Sequence, residues 1–233
     1  MSAERSFRAE YLRPLEYVTK PDPRSVSFVR WDTEKQEFVP RALADHHAAM
    51  STLNLHAGVP EDVTIQFETA KNLFVYAWFV YRFHAVSEHQ SLTCLEFGLR
   101  ERFGKDMAAS RKLRRTLTLK PLLRHAVDRG HVRNEGFKRW HDKALLRAQS
   151  RFEYEKGEEM RRKGLTSIEY DYSDVVVTDQ DRDWNLIEVL VESLPFTRNE
   201  YAHGSASIHN QVRGTLELTM EILNQVFLPS PHP

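Results

Sequence analysis

Near the end of this 233-residue chain, the stretch TRNEYAHGS (197–205) gathers an arginine, an asparagine and a histidine within six positions. Each side chain has a use in phosphodiester chemistry. An imidazole, with an ordinary pKa near ~6.5, can take and give a proton at neutral pH. A guanidinium fork matches the non-bridging oxygens of a phosphate and the charge that builds there in a transition state. An amide can hold either group in orientation. In RNA, His203 would deprotonate a 2′-hydroxyl or protonate the leaving oxygen, Arg198 would hold phosphate and Asn199 would position, with no metal or cofactor required. On a helix Asn199 and His203, four apart, share a face; Arg198 and His203, five apart, do not. Spacing by itself is not diagnostic, because a second R-x4-H runs from Arg41 to His46.

The later copy is set apart by its context: Asn follows Arg, Ala precedes His, Gly follows it, and an amphipathic segment comes next. In that setting TRNEYAHGS resembles the RNxxxH motif of the HEPN superfamily (higher eukaryotes and prokaryotes nucleotide-binding domains). The resemblance covers roughly residues 61–104 and 180–228. It implies an all-α, HEPN-like bundle whose last core helix follows the motif. It also implies a metal-independent endoribonuclease with Arg198, Asn199 and His203 as the catalytic set, a homodimer with two motifs facing one cleft, and a toxin or defence role with an antitoxin or defence partner. A polar residue from an earlier core helix often joins such sites; Glu96 and Glu88 both remain open. His203 is followed by Gly204 and Ser205, which departs from the H-x-Y extension of toxins paired with a nucleotidyltransferase. The alternative on the same fold is a non-catalytic binding or scaffold protein.

Net charge is zero, but its distribution is not even. Residues 100–163 hold 20 Lys or Arg against 9 Asp or Glu, and the rest of the chain holds 13 against 24. Such asymmetry suits either a nucleic-acid surface or long solvated helices. Within it RKLRR supplies Arg111, Lys112, Arg114 and Arg115 as candidate RNA contacts, and RRK at 161–163 is a second cluster.

The elements that must position these groups follow from periodicity. Residues 1–40 form an irregular arm, with SVSFVRW and QEFV as the strands of a small hairpin. From 41 onward one helical domain is expected, with a charged insert over about 105–179. Residues 41–53 form a short helix. EDVTIQFETAKNLFVYAWFVYRFHAV (61–86) is expected as the central helix, because its middle is apolar almost all round. Leu92, Leu95, Leu99 and Phe103 mark the next helix, stopped by Gly104. Leu119, Leu122, Leu123, Ala126 and Val127 mark another. A long polar helix over about 134–163 carries the narrow stripe Phe137, Trp140, Ala144 and Ala148. A connection with a short extended piece at 175–177 follows. Trp184, Ile187, Val191 and Leu194 give a helix stopped by Pro195, and Val212, Leu216, Leu223 and Phe227 the closing helix.

Other features read more plainly. His84 and Glu88 in HAVSEH miss the H-x-x-E-H spacing by one residue and are expected as solvated groups at a helix junction, as are Asp45, His46 and His47. RNEGFKRWH (133–141) has Lys138 where the motif needs histidine. Cys94, the only cysteine, reads as a small core residue, which suits a reducing cytoplasm. The N-terminus has no apolar h-region, and the longest apolar run, 73–83, contains Arg82 and is too short for a membrane span.

Overall fold

The computed structural model describes residues 9–203 and 209–228. It is mostly helical, with eight α-helices and one two-stranded antiparallel sheet among those residues. The hairpin pairs β1 (Val29–Asp32) with β2 (Glu37–Pro40), Trp31 facing Phe38 across the strands. Asp32 closes its turn by accepting the backbone N–H groups of Glu34 and Lys35. The helices are α1 (Leu43–Ser51), α2 (Glu61–Tyr76), α3 (Phe83–Met107), α4 (Arg111–Arg115), α5 (Leu119–Asp128), α6 (Lys138–Lys163), α7 (Leu186–Ala202) and α8 (Arg213–Phe227).

The stretch expected as one central helix is two. The chain turns over residues 77–82, and the apolar run that suggested continuity ends up packing a corner, with Ala77 and Trp78 buried. A buried carboxylate from the N-terminal arm holds that corner. Asp22 donates its own N–H to the Trp78 carbonyl (2.9 Å), and its side chain accepts the Tyr81 N–H (3.3 Å). Arg13 and Arg24 neutralise the carboxylate at 3.2 and 2.9 Å. Backbone groups left over by the helix break are thereby satisfied inside the protein.

The central helix is α3, which packs against α2, α5, α7 and α8. Its polar residues hide this in the sequence. Ser87 donates to the Ala70 carbonyl (2.8 Å), Ser91 to Thr219 Oγ1 (2.9 Å), and Cys94 lies buried with Sγ 3.4 Å from the Val63 carbonyl. Each is a small side chain whose hydrogen bond lets a neighbouring helix approach closely. Gly98 serves the same end, since a Cβ there would sit 2.5 Å from Leu223 Cδ2.

Two further stops are not stops. Gly104 lies inside α3, which runs on to Met107. Pro195 lies inside α7, and the helix continues for seven residues beyond it. A proline in a helix interior forfeits one backbone hydrogen bond and costs about 3 kcal/mol. Pro195 is buried beside Leu194 and Val191, and that packing offsets the loss.

The stripe of α6 is as expected, with Phe137, Trp140, Ala144 and Ala148 all buried. Trp140 Nε1 donates to the Trp184 carbonyl (2.7 Å). The connection after α6 is pinned along it by Asp181, which accepts from Arg151 (2.9 Å) and from the Thr178 N–H and hydroxyl (both 2.8 Å). Residues 175–177 pair with no strand, although Val175 has an extended backbone. No helix among the described residues is long and apolar enough to cross a membrane.

Candidate functional site

Because α7 passes through Pro195, Arg198, Asn199 and His203 sit on the last turns of one helix. Asn199 and His203 are exposed, and Arg198 is half-buried. His203 is the C-terminal cap residue, and its N–H donates to the Asn199 carbonyl (3.0 Å). This puts the two residues one turn apart on a common face, at the carbonyl end of the helix, where the dipole favours a cation. Gly204, expected to end this turn, lies outside the described residues.

The structure distinguishes the two candidate carboxylates on α3. Glu96, only 7% exposed, lies 3.3 Å from Arg198 Nε through its Oε2. Its Oε1 accepts Arg100 Nη2 (2.5 Å), and Oε2 also accepts the Leu119 N–H (3.2 Å). One buried carboxylate therefore accepts hydrogen bonds from Arg100 and the start of α5 and forms an ion pair with Arg198, whose Nε makes no hydrogen bond among the described residues. Arg198 further reaches Asn199 Oδ1 through Nη1 (3.4 Å), while its Nη2 has no partner among the described residues.

Glu88, 4% exposed, belongs to a different assembly. Its Oε2 accepts the Tyr201 hydroxyl and its Oε1 the Thr215 hydroxyl, both at 2.6 Å. His209 Nε2 stands 3.4 Å from Oε2 and 3.2 Å from the Tyr201 oxygen. Burial, and then the bond to Glu88, raise the Tyr201 phenol pKa, so it stays protonated and donates. The end of α7 and the approach to α8 are thus tied to the same α3 carboxylate. Glu88 and His84 are not the solvated residues expected. Both are buried because their turns of α3 lie inside the bundle, and His46 of α1 is buried against Phe74, Trp78 and His84.

Periodicity along α3 could have flagged one residue that the motif does not name. His89, Glu96 and Arg100 fall at i, i+7 and i+11, on one helical face. The His89 imidazole is half-buried, and its pKa is lowered first by burial and then by the Arg198 charge, with Glu96 opposing. It is a neutral imidazole near the Arg198 guanidinium at pH 7. Tyr201 and His209 had no comparable signal, because their relation to Glu88 exists only after α7 and α8 dock on α3.

Of the basic candidates, Arg111, Arg114 and Arg115 line a concavity of about 380 Å³ together with Arg100 and Lys105 of α3. Lys112 is exposed and is not among its walls. No three His, Cys, Asp or Glu side chains among the described residues are grouped to hold a metal ion.

No family model, curated protein or solved structure matches this chain.

Replacing Glu96 by Gln should separate its roles. The amide cannot balance two guanidiniums, so a loss of about 1–2 kcal/mol is expected in urea unfolding, less than for a fully buried pair because both arginines keep some solvent. A variant as stable as the parent would show that Glu96 holds nothing in place.

Proposed function

We propose that this chain is a HEPN-type endoribonuclease that cleaves RNA through the 2′-hydroxyl without needing a metal. The observation that carries the reading is the pairing of an exposed Asn199–His203 face with a guanidinium anchored by a buried carboxylate. The ion pair with Glu96 leaves the Nη2 corner of Arg198 for a phosphate oxygen, and a guanidinium drawn to a fixed carboxylate loses less freedom on binding than a loose one.

In this reaction His203 takes the proton of a 2′-hydroxyl, and the freed oxygen attacks the adjacent phosphorus. The bond to the 5′-oxygen of the next nucleotide breaks, leaving a 2′,3′-cyclic phosphate and, once that oxygen is protonated, a 5′-hydroxyl. A second imidazole supplies the departing oxygen's proton. In a homodimer it is the same residue of the second copy. Arg198 offsets charge on the phosphoryl oxygens, and Asn199 orients it through the Nη1 contact. A cytoplasmic toxin or defence role, held in check by an antitoxin or other protein, belongs to the same reading.

The test is digestion of mixed RNA by the purified full chain in excess EDTA. Fragments ending in 2′,3′-cyclic phosphate are expected. Intact RNA across a broad substrate set, from a folded dimer, would overturn the reading. One observation favours a second reading, a non-catalytic binding module. Arg198 is already engaged by Glu96, as it would be if the motif served only to hold the bundle together. That module would leave RNA uncut and bind its partner unchanged after His203→Ala.

A further inference from the structure

The concavity beside α4 is built by two unusual local choices. Ser110 caps α4 by accepting the Leu113 N–H (3.2 Å), and the five-residue helix RKLRR then puts Arg111, Arg114 and Arg115 at i, i+3 and i+4, on one side. That side meets α3 at Gly104. Arg114 Cδ lies 3.5 Å from where a Cβ would stand on that glycine, so the arginine stem rests on bare helix and its head reaches the pocket.

Charge then accumulates without internal relief. Among the described residues Lys105, Arg111, Arg114 and Arg115 have no carboxylate partner, although Glu101 stands in the same wall. Four cations gathered around one concavity repel each other, and an entering anion lowers that cost. Arg100 forms a fifth cationic wall and is the link to the candidate reaction centre, because it and Arg198 bind opposite oxygens of Glu96. The pocket also has an aromatic wall, half-buried Phe97. Its size, about 380 Å³, is at the small end of ligand sites and suits one nucleotide.

We infer that this pocket is a subsite for one nucleotide of single-stranded RNA, its phosphate on Arg111, Arg114 and Arg115 and its base against Phe97. The ligand's identity rests on the ribonuclease reading. The preference for a single strand rests on the pocket's shape, since a nucleotide locked in a duplex can offer neither a free base face nor a phosphate at the bottom of a concavity.

The experiment measures binding of a short labelled oligoribonucleotide, single-stranded or annealed to its complement, to the full chain carrying His203→Ala, which prevents cleavage. Joint replacement of Arg111, Arg114 and Arg115 by Gln should weaken single-strand binding about tenfold or more and flatten the log–log salt dependence by about 0.7 per phosphate released. Phe97→Ala should weaken it without changing that slope. The same neutralisation of Arg161, Arg162 and Lys163, at the far end of α6, should change little. Equal losses from both triple replacements, no loss from the α4 set, or duplex binding as tight as single-strand binding would each overturn the inference. The two proposals can fail separately. If RNA is bound through the α4 arginines but the unmutated chain never cuts it, the nuclease reading falls and the pocket stands. If the α4 replacement leaves binding and cleavage unchanged in an active enzyme, the pocket falls alone.

Discussion

Replacing His203 by Ala should lower RNA cleavage by about 10²–10⁴-fold, the usual worth of a positioned acid–base group. The fold should hardly register the change. His203 is exposed, its contribution to α7 is the backbone bond to Asn199, and substitutions at such positions shift stability by less than about 0.5 kcal/mol. Activity and stability thus come apart, and the pair of measurements is more telling than either alone. Arg198 behaves differently. Arg198→Lys keeps the charge but replaces a planar fork with a point cation, which cannot both face Glu96 through Nε and present a second N–H corner to phosphate. The lysine variant should therefore remain as impaired as Arg198→Ala. Cleavage retained by His203→Ala, or restored by Arg198→Lys, would remove the chemistry assigned to this helix end.

Stability should also fall by about 3 kcal/mol between pH 6.5 and pH 4, through His84 alone. This side chain is 1% exposed, packed against Phe74, Tyr81 and His46, and neither ring nitrogen has a hydrogen-bond partner. Burial, and then the neighbouring His46 and His209 charges, hold its pKa down to about 4. Above pH 6.5 the ring is neutral in both the folded and unfolded chain, and the protein has its full stability. As the pH falls below 6.5 the unfolded chain takes up a proton that the folded one refuses. The loss grows by about 1.4 kcal/mol per pH unit until the folded ring titrates near 4. His84→Phe keeps an aromatic ring in the same pocket and has nothing to protonate. At pH 5 it should unfold at higher urea than the parent, by roughly 2 kcal/mol, while differing little at pH 7.5. An identical acid dependence in the variant would place the effect in another group.

Much of the scaffold can be read from residue order, because the helices concerned bury one continuous apolar stripe. The α5 and α6 stripes and α8 are of this kind, and the exposed hairpin is legible instead from its two β-like runs on either side of a short turn. What escapes is set by partners far away in sequence. The break after α2 depends on Asp22, 59 residues before Tyr81. The dominance of α3 is masked by Ser87, Ser91 and Glu88, whose polarity is matched only by groups on other helices. Pro195 looks like a terminator because local rules cannot know that its ring is buried in the core. The site shows the same division. TRNEYAHGS can be picked out from its residue types, yet choosing Glu96 over Glu88 as the companion of Arg198 requires knowing which turn of α3 meets α7.

The corner between α2 and α3 has a practical corollary for anyone shortening this protein. A version begun at residue 41, after the hairpin, would discard Asp22 together with Arg13 and Arg24. The Tyr81 N–H and the Trp78 carbonyl would then lose the bonds that Asp22 makes to them across the sequence. The first helical hairpin would be left unlatched, so the leading segment serves as a clasp and must travel with the bundle in any fragment meant to fold.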